Sequence, residues 1–169
     1  MSIGAYARVE RERRFLASTA PTTGVTAVRL VTDRYVDGTR LRLRRMHRED
    51  AAEPDALKLT QKLPGEPWGT LTTCYLTEAE HAVLDALAGR LVVKRRISVP
   101  PFGYDVFHGA LSGLVLAEVE FAEDDAAAAF APPSGLVEVT HDARFTGGRL
   151  AAGDPDDALK AASEFLRGR

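Results

Sequence analysis

Cysteine is nearly absent: Cys74 stands alone among 169 residues. A lone thiol excludes an internal disulfide and any cysteine-rich zinc site. No long hydrophobic run and no signal-peptide pattern is found, so a soluble cytoplasmic protein is expected. Charge of one sign is not in excess: 22 lysines and arginines face 24 aspartates and glutamates, a formal net charge of -2. No overall field draws such a chain to DNA or an anionic membrane, and any basic site must come from local segregation of charge. Aromatic residues make up 7% of the chain. They are too few and scattered for a platform that stacks single-stranded nucleic acid. His47, His81, His108 and His141 have no metal-ligand spacing and read as structural or exposed.

What is present is a succession of strand-like segments. The length suits one domain, residues 1–169, large enough for a real core. Strands are expected at Ala7–Leu16, Thr26–Asp33, Thr39–Met46, Ala56–Leu63, Thr70–Leu76, Leu91–Val99, Tyr104–Phe107, Leu114–Phe121 and Val137–His141. Turn signals separate many of them, including Asp37-Gly38, Pro64-Gly65, Pro100-Pro101 and Ser112-Gly113. Helical signals are fewer. Thr77 and Glu80 form a capping box before a segment that ends at Gly89. Asp124–Phe130 reads as a short helix that stops before Pro132-Pro133. Asp154 is a good N-cap with Pro155 behind it, and Ala158, Ala162, Phe165 and Leu166 follow at helical spacing. Many antiparallel strands with a few peripheral helices predict a mainly β barrel or sandwich.

Alternation along these strands segregates charge. Glu10, Glu12 and Arg14 share a face. Arg40, Arg42 and Arg44 share one opposite Leu41 and Leu43. Lys58 and Lys62 lie opposite Leu57, Leu59 and Leu63, and Lys94 and Arg96 opposite Val93, Arg95, Ile97 and Val99. Glu118 and Glu120 lie opposite Val115, Ala117, Val119 and Phe121, and Glu138 lies opposite Val137 and Val139. A solvated antiparallel sheet also carries a polar face, but it usually mixes both signs along each strand. Two like charges about 7 Å apart repel by roughly 2 kcal/mol at an effective dielectric near 20. A plain scaffold gains nothing from strands of one sign. A polyanion bound with divalent metal does: its phosphates take the cations and its metal takes the carboxylates.

These stretches, in this order, resemble the CYTH or triphosphate tunnel metalloenzyme family. "VERERRFL" is similar to that family's ExExK signature, with Arg14 where lysine is usual, which exchanges a point charge for a planar fork. "RLRLR" resembles its arginine strand, "LKLTQK" a strand ending in a lysine, and "KRR" its Lys-x-Arg pair. "DVFHG", "GLVLAEVEF" and "EVTHDARFTGGRLA" resemble its C-terminal half. Thr72 and Cys74 fall on a strand where many relatives carry glutamates. The resemblance covers residues 10–151.

The resemblance implies an eight-stranded antiparallel β-barrel open as a tunnel, with peripheral helices. It implies a triphosphate-containing small molecule as the partner and Mg²⁺ or Mn²⁺ as the cofactor. Metal ligands are expected at Glu10, Glu12, Glu118 and Glu120, joined by Asp105 and Glu138. Phosphate contacts are expected from Arg14, Arg40, Arg42, Arg44, Lys58, Lys62, Lys94, Arg96 and Arg144. Lys62 or Lys94 is the candidate for proton transfer, with no choice between them. Val9 and Phe15 are expected to pack outside the barrel, and Arg11 and Arg13 to extend to solvent. The implied activity is metal-dependent hydrolysis of a phosphoanhydride, with inorganic triphosphate first. Thiamine triphosphate hydrolysis, ATP cyclisation as in class IV adenylate cyclases, and non-catalytic polyphosphate or nucleotide binding remain the alternatives. A homodimer is left open.

Overall fold

The structure, a computed structural model, describes residues 5–168. It is mainly β, built on one antiparallel sheet of ten strands, with four α-helices. The strands are β1 (Arg8–Glu10), β2 (Glu12–Leu16), β3 (Ala27–Val36), β4 (Leu41–Arg48), β5 (Ala56–Leu63), β6 (Gly69–Tyr75), β7 (Gly89–Val99), β8 (Phe102–Phe107), β9 (Val115–Glu120) and β10 (Val137–Glu138). Their order across the sheet is β1-β6-β5-β4-β3-β7-β8-β9-β2-β10. Ten strands therefore stand where eight were expected, and the hydrogen-bonded order runs from β1 to β10 without closing on itself. One connection matters for the site. Arg11 alone separates β1 from β2, yet β1 pairs with β6 and β2 with β9. The opening segment is thus one bent run that touches two distant parts of the sheet.

The helices are α1 (Glu78–Asp85), α2 (Asp124–Ala129), α3 (Gly147–Ala152) and α4 (Pro155–Arg167). Thr77 caps α1 with the full reciprocal box to Glu80, and Asp154 caps α4 by accepting from the Asp156 amide. Both caps satisfy backbone donors that the first helical turn leaves orphaned. Helix α3 was not anticipated; it opens on Gly147 and Gly148, which lower helix propensity. No helix among the described residues is long and apolar enough to cross a membrane.

One face of the sheet changes character along its strands. On β2, Leu16 gives way to Arg14 and Glu12. On β9, Leu116 gives way to Glu118 and Glu120. Val92 on β7 gives way to Lys94 and Arg96, and Phe107 on β8 to Asp105. The apolar ends, Leu16, Leu116, Val92 and Phe107, form one buried cluster with Phe145, Leu150 of α3, and Ala158, Ala161 and Ala162 of α4. Helices thus cover the apolar end of this face and leave the charged end to a cavity. The opposite face of β2, β8 and β9 carries a second core, Phe15, Phe102, Tyr104, Ala117 and Val119, with Phe130 packed against it. Phe15 meets Phe102 edge-on at 6.1 Å. Arg11 and Arg13 do not reach free into solvent. Arg11 pairs with Asp124 at the start of α2, and Arg13 donates to both oxygens of Glu138 at 2.8 and 2.6 Å.

Candidate active site

Two cavities open along the charged face, of about 700 and 630 Å³. Arg8, Glu12, Arg29, Arg42, Arg44, Lys58, Arg96, Glu118 and Glu120 supply the charge around the first. Around the second stand Glu10, Glu12, Arg14, Arg40, Arg42, Lys62 and Arg90, with Tyr35 and Trp68.

The register of β3 against β4 and β7 builds the centre. Asp33 lies opposite Arg44, and Tyr35 opposite Arg42. Asp33 is completely buried and accepts from Arg44 Nε and Nη2 at 2.6 Å each. Burial opposes its charge, but the Arg44 guanidinium, helped by Arg42, outweighs this and brings the carboxyl down to about 2. Arg42 Nε is 3.7 Å from the same carboxylate. It is a buried donor with no hydrogen-bond partner. The Tyr35 phenol is pushed up to about 12, by burial first and then by Asp33. Its ring is seated against Gly147, where a Cβ would lie 2.0 Å from the Tyr35 hydroxyl.

A second buried carboxylate, Asp105, mirrors this on β8. It accepts from Lys94 Nζ at 2.5 Å and from Arg96 Nε and Nη2 at 2.6 Å each. Arg96 continues to Glu118, and Glu118 lies 3.4 Å from Arg14 Nε. Arg14 then bonds Glu12 at 2.6 Å. Lys62 Nζ donates to Glu10 at 2.6 Å. Carboxylates and cations thus alternate in a line across β7, β8, β9 and β2. Burial works against the charge on Glu118, but Arg96, Lys94 and Arg14 outweigh it and hold the carboxyl well below its usual range. Glu12 moves the other way: burial, and next the neighbouring Glu118, raise it. Of the two carboxyls Glu118 has the stronger cation company, so Glu12 is the first to accept a proton.

Several expected residues fall elsewhere. Both Asp105 oxygens are engaged by Lys94 and Arg96. Lys94 lines neither cavity, whereas Lys62 lines the second. Glu138 is engaged with Arg13. Arg144 bonds its neighbour Asp142 and lies over the Phe145 and Phe165 rings, apart from both cavities. Arg40 is exposed at the rim of the second cavity. Thr72 and Cys74 do not line the cavities: Gly69, Leu71, Thr73 and Tyr75 are the residues of β6 that do, and this wall carries no acid.

Arg29 and Asp33 were missed, whereas Lys58, an expected phosphate contact, lines the first cavity. Arg29 lines the first cavity and finds only the Ser98 hydroxyl, at 3.3 Å. Lys58 Nζ sits 4.9 Å from the Tyr75 ring centroid. Thr60 and Thr73 share a hydrogen bond of 2.9 Å. Asp33 had a readable signal, because folding the two strands about Asp37-Gly38 sets it opposite the arginine strand.

Whether this face suits a divalent cation depends on its donors. Among the described residues no group of three or more His, Cys, Asp or Glu side chains comes together as a metal site. Mg²⁺ commonly takes only one or two carboxylates, with substrate phosphates and water completing its shell. The half-buried pair Glu12 and Glu118, in which Glu118 raises the cost of charge on Glu12, fits that habit.

On this sheet face paired carboxylates alternate with cations, around cavities where Arg29 and Lys58 have no carboxylate in bonding distance and Arg42 Nε has no hydrogen-bond partner, a donor set of the kind that polyanions take. No family model matches the sequence. Over 76 residues it is 47% identical to the inorganic triphosphatase of Nitrosomonas europaea (strain ATCC 19718 / CIP 103999 / KCTC 2705 / NBRC 14298), a match covering 41% of this chain and 50% of that protein. The chain thus spans about half the length of this relative. Two solved structures are similar over much more. The crystal structure of the hypothetical protein NE1496 is 33% identical, with a TM-score of 0.56, over 86% of this chain and 99% of that one. The crystal structure of the inorganic triphosphatase NE1496 is 32% identical, also with a TM-score of 0.56, over 85% and 95%. The chain belongs to the same triphosphatase-type family as NE1496.

Proposed function

We propose that the protein is a divalent-metal-dependent hydrolase of phosphoanhydrides, with inorganic triphosphate as its substrate, of the CYTH or triphosphate tunnel type. The carrying observation is Arg42 Nε, a buried donor without a partner where the two cavities meet. A buried unmatched donor costs about 1–3 kcal/mol, and an anion threading both cavities removes that cost. The triphosphatases to which the chain is similar support the substrate. The tunnel reading is supported by the bent run β1–β2, which touches both β6 and β9. Counting that run as one strand and leaving out the two-residue β10 gives the eight strands of the family barrel.

In this reading Arg29, Arg42, Lys58 and Arg96 take the non-bridging phosphate oxygens. Charge-assisted bonds of this kind are the strong ones, and in a partly buried site they hold the chain in line for displacement. Arg14 and Lys62 meet the anion from the second cavity. Lys62 carries three donors and gives one to Glu10, so it retains protons to offer a departing phosphate oxygen; this makes it the better placed of the two lysines. Glu12 and Glu118, with Glu10 and Glu120 near them, would hold Mg²⁺ or Mn²⁺, which supplies Lewis-acid polarisation of the phosphate oxygens. Turnover of inorganic triphosphate, ATP and thiamine triphosphate with each metal tests the proposal. Release of phosphate from inorganic triphosphate well ahead of the others is expected. Conversion of ATP to a cyclic product, or binding of all three without turnover, would replace it.

A further inference from the structure

The arginine strand places Arg42 and Arg44 side by side on one face, and the two are not in the same condition. Arg44 is clamped. Its Nε and Nη2 both donate to Asp33 at 2.6 Å, and the pair is buried on both sides. A fork-to-fork pair of this kind fixes the plane of a guanidinium. Arg42, two residues before it, approaches the same carboxylate only to 3.7 Å and keeps its Nε buried and unpartnered. Arg42 lines both cavities, whereas Arg44 lines only the first. Both Asp33 oxygens are already taken by Arg44, so the carboxylate attracts Arg42 without engaging it.

We propose that Asp33 is a positioning residue that divides the arginine pair. It fixes Arg44 as a scaffold and leaves Arg42 aimed into the junction of the cavities as the arginine that binds the phosphate chain. The inference rests on the triphosphate reading above and adds an inequality that the sequence does not contain, since both arginines occupy equivalent positions of alternation. It also gives Asp33 a cost. A carboxylate beside a polyanion site weakens anion binding, so its presence is explained by aim and not by affinity.

The test is calorimetric titration with inorganic triphosphate in metal-free buffer, with a melting curve and kcat for each variant. Arg42→Ala should lose affinity by about tenfold or more, the scale of one charge-assisted bond, with little change in melting point. Arg44→Ala should lower the melting point and lose clearly less affinity; Arg44→Lys serves if the alanine variant does not fold. Asp33→Asn is the decisive variant. It removes the repelling charge and loosens the clamp, so triphosphate should bind about threefold tighter or more while kcat falls. Asp33→Glu, which restores the charge, should return affinity toward the wild type. A role confined to stability would lower the melting point of Asp33→Asn and leave affinity unchanged or weaker, which overturns the proposal. Equal losses for the two arginines overturn it as well. A wild type that takes no triphosphate at all would instead bring down the functional reading, and this proposal with it.

Discussion

Glu12 and Arg42 line both cavities, so the two spaces meet between one carboxylate and one guanidinium. Glu12 is bonded by Arg14 at 2.6 Å, and Arg42 reaches Asp33 only to 3.7 Å. Arg42 has its unpartnered donor, and Glu12 is raised by burial and by Glu118. The junction therefore holds one group with an unused donor and another that gains from a further cation. A metal-bound triphosphate serves both.

The coupling of Glu12 to Glu118 gives the first prediction. Glu12 is raised, so on acidification from neutral pH it takes a proton before an ordinary glutamate does. Glu118→Gln removes the like charge and releases Arg14 and Arg96, and both changes favour ionised Glu12. Its titration should move to lower pH. Carbon-detected NMR of the Glu12 carboxyl follows this without relying on activity. A titration that stays in place, or moves upward, would show that Glu118 is not the neighbour that matters.

Gly147 gives the second. A Cβ there would sit 2.0 Å from the Tyr35 hydroxyl and 3.0 Å from Cζ, so Gly147→Ala forces the ring to move. Overpacking of this sort costs about 1–3 kcal/mol. The expected result is a lower melting point together with a fall in kcat, because Tyr35 lines the second cavity. Adding Tyr35→Phe removes the closer contact, so the double variant should be more stable than the two single losses predict. Strict additivity in urea unfolding would mean that the two residues do not press on each other.

Much of this site was legible because alternation reports which residues share a face. Glu10, Glu12, Arg14, Arg42, Lys58, Lys62, Arg96, Glu118 and Glu120 all line one cavity or the other, as their spacing suggested. Alternation does not report what lies across the ladder. Nothing in "GYDVF" shows that Arg96 is the partner of Asp105 in register. Nor does the spacing of Glu138 show that Arg13 closes on it from β2. Phase is the other gap. Thr72 and Cys74 alternate correctly with their neighbours, but only the pairing of Thr60 with Thr73 decides which set faces the cavity. Helix α3 escaped because glycines lower helix propensity, and its reason for carrying Gly147 is the Tyr35 ring, a tertiary contact.

The third prediction separates a built site from a solvated sheet. A ligand that binds only the native state stabilises it by about 2.7 kcal/mol at roughly 100 times its dissociation constant, which raises the melting point of a chain of this size by about 5 °C or more. Inorganic triphosphate with Mg²⁺ should reach this. Each alone should give clearly less, because Arg29, Arg42 and Lys58 need the anion while Glu12 and Glu118 need the cation. Melting curves at matched ionic strength decide the matter: simple additivity of the two separate shifts would mean that the charged face holds no joint site.

The last prediction concerns acid and Asp33. Its carboxyl is held at about 2 in the folded protein against 3.8 when unperturbed. A depressed folded value means that the unfolded chain binds the proton first. The contribution of Asp33 to stability is therefore complete above about pH 4 and is lost as pH falls through about 2. A shift of this size corresponds to about 2 kcal/mol, and because Asp33 is completely buried, solvent screening does little to reduce it. Its main source is Arg44, with Arg42 and Lys94 adding to it. Urea unfolding at pH 5 and pH 2.5 should show the wild type losing more than half of this increment. Asp33→Asn has no proton to gain at that position and should lose less over the same interval, so the gap between the two proteins narrows as pH falls. Arg44→Lys keeps a positive charge but not the two parallel bonds and should fall between them. Parallel acid limbs for wild type and Asp33→Asn would mean that the clamp is not what lowers this carboxyl, and the division of the arginine pair would lose its physical basis.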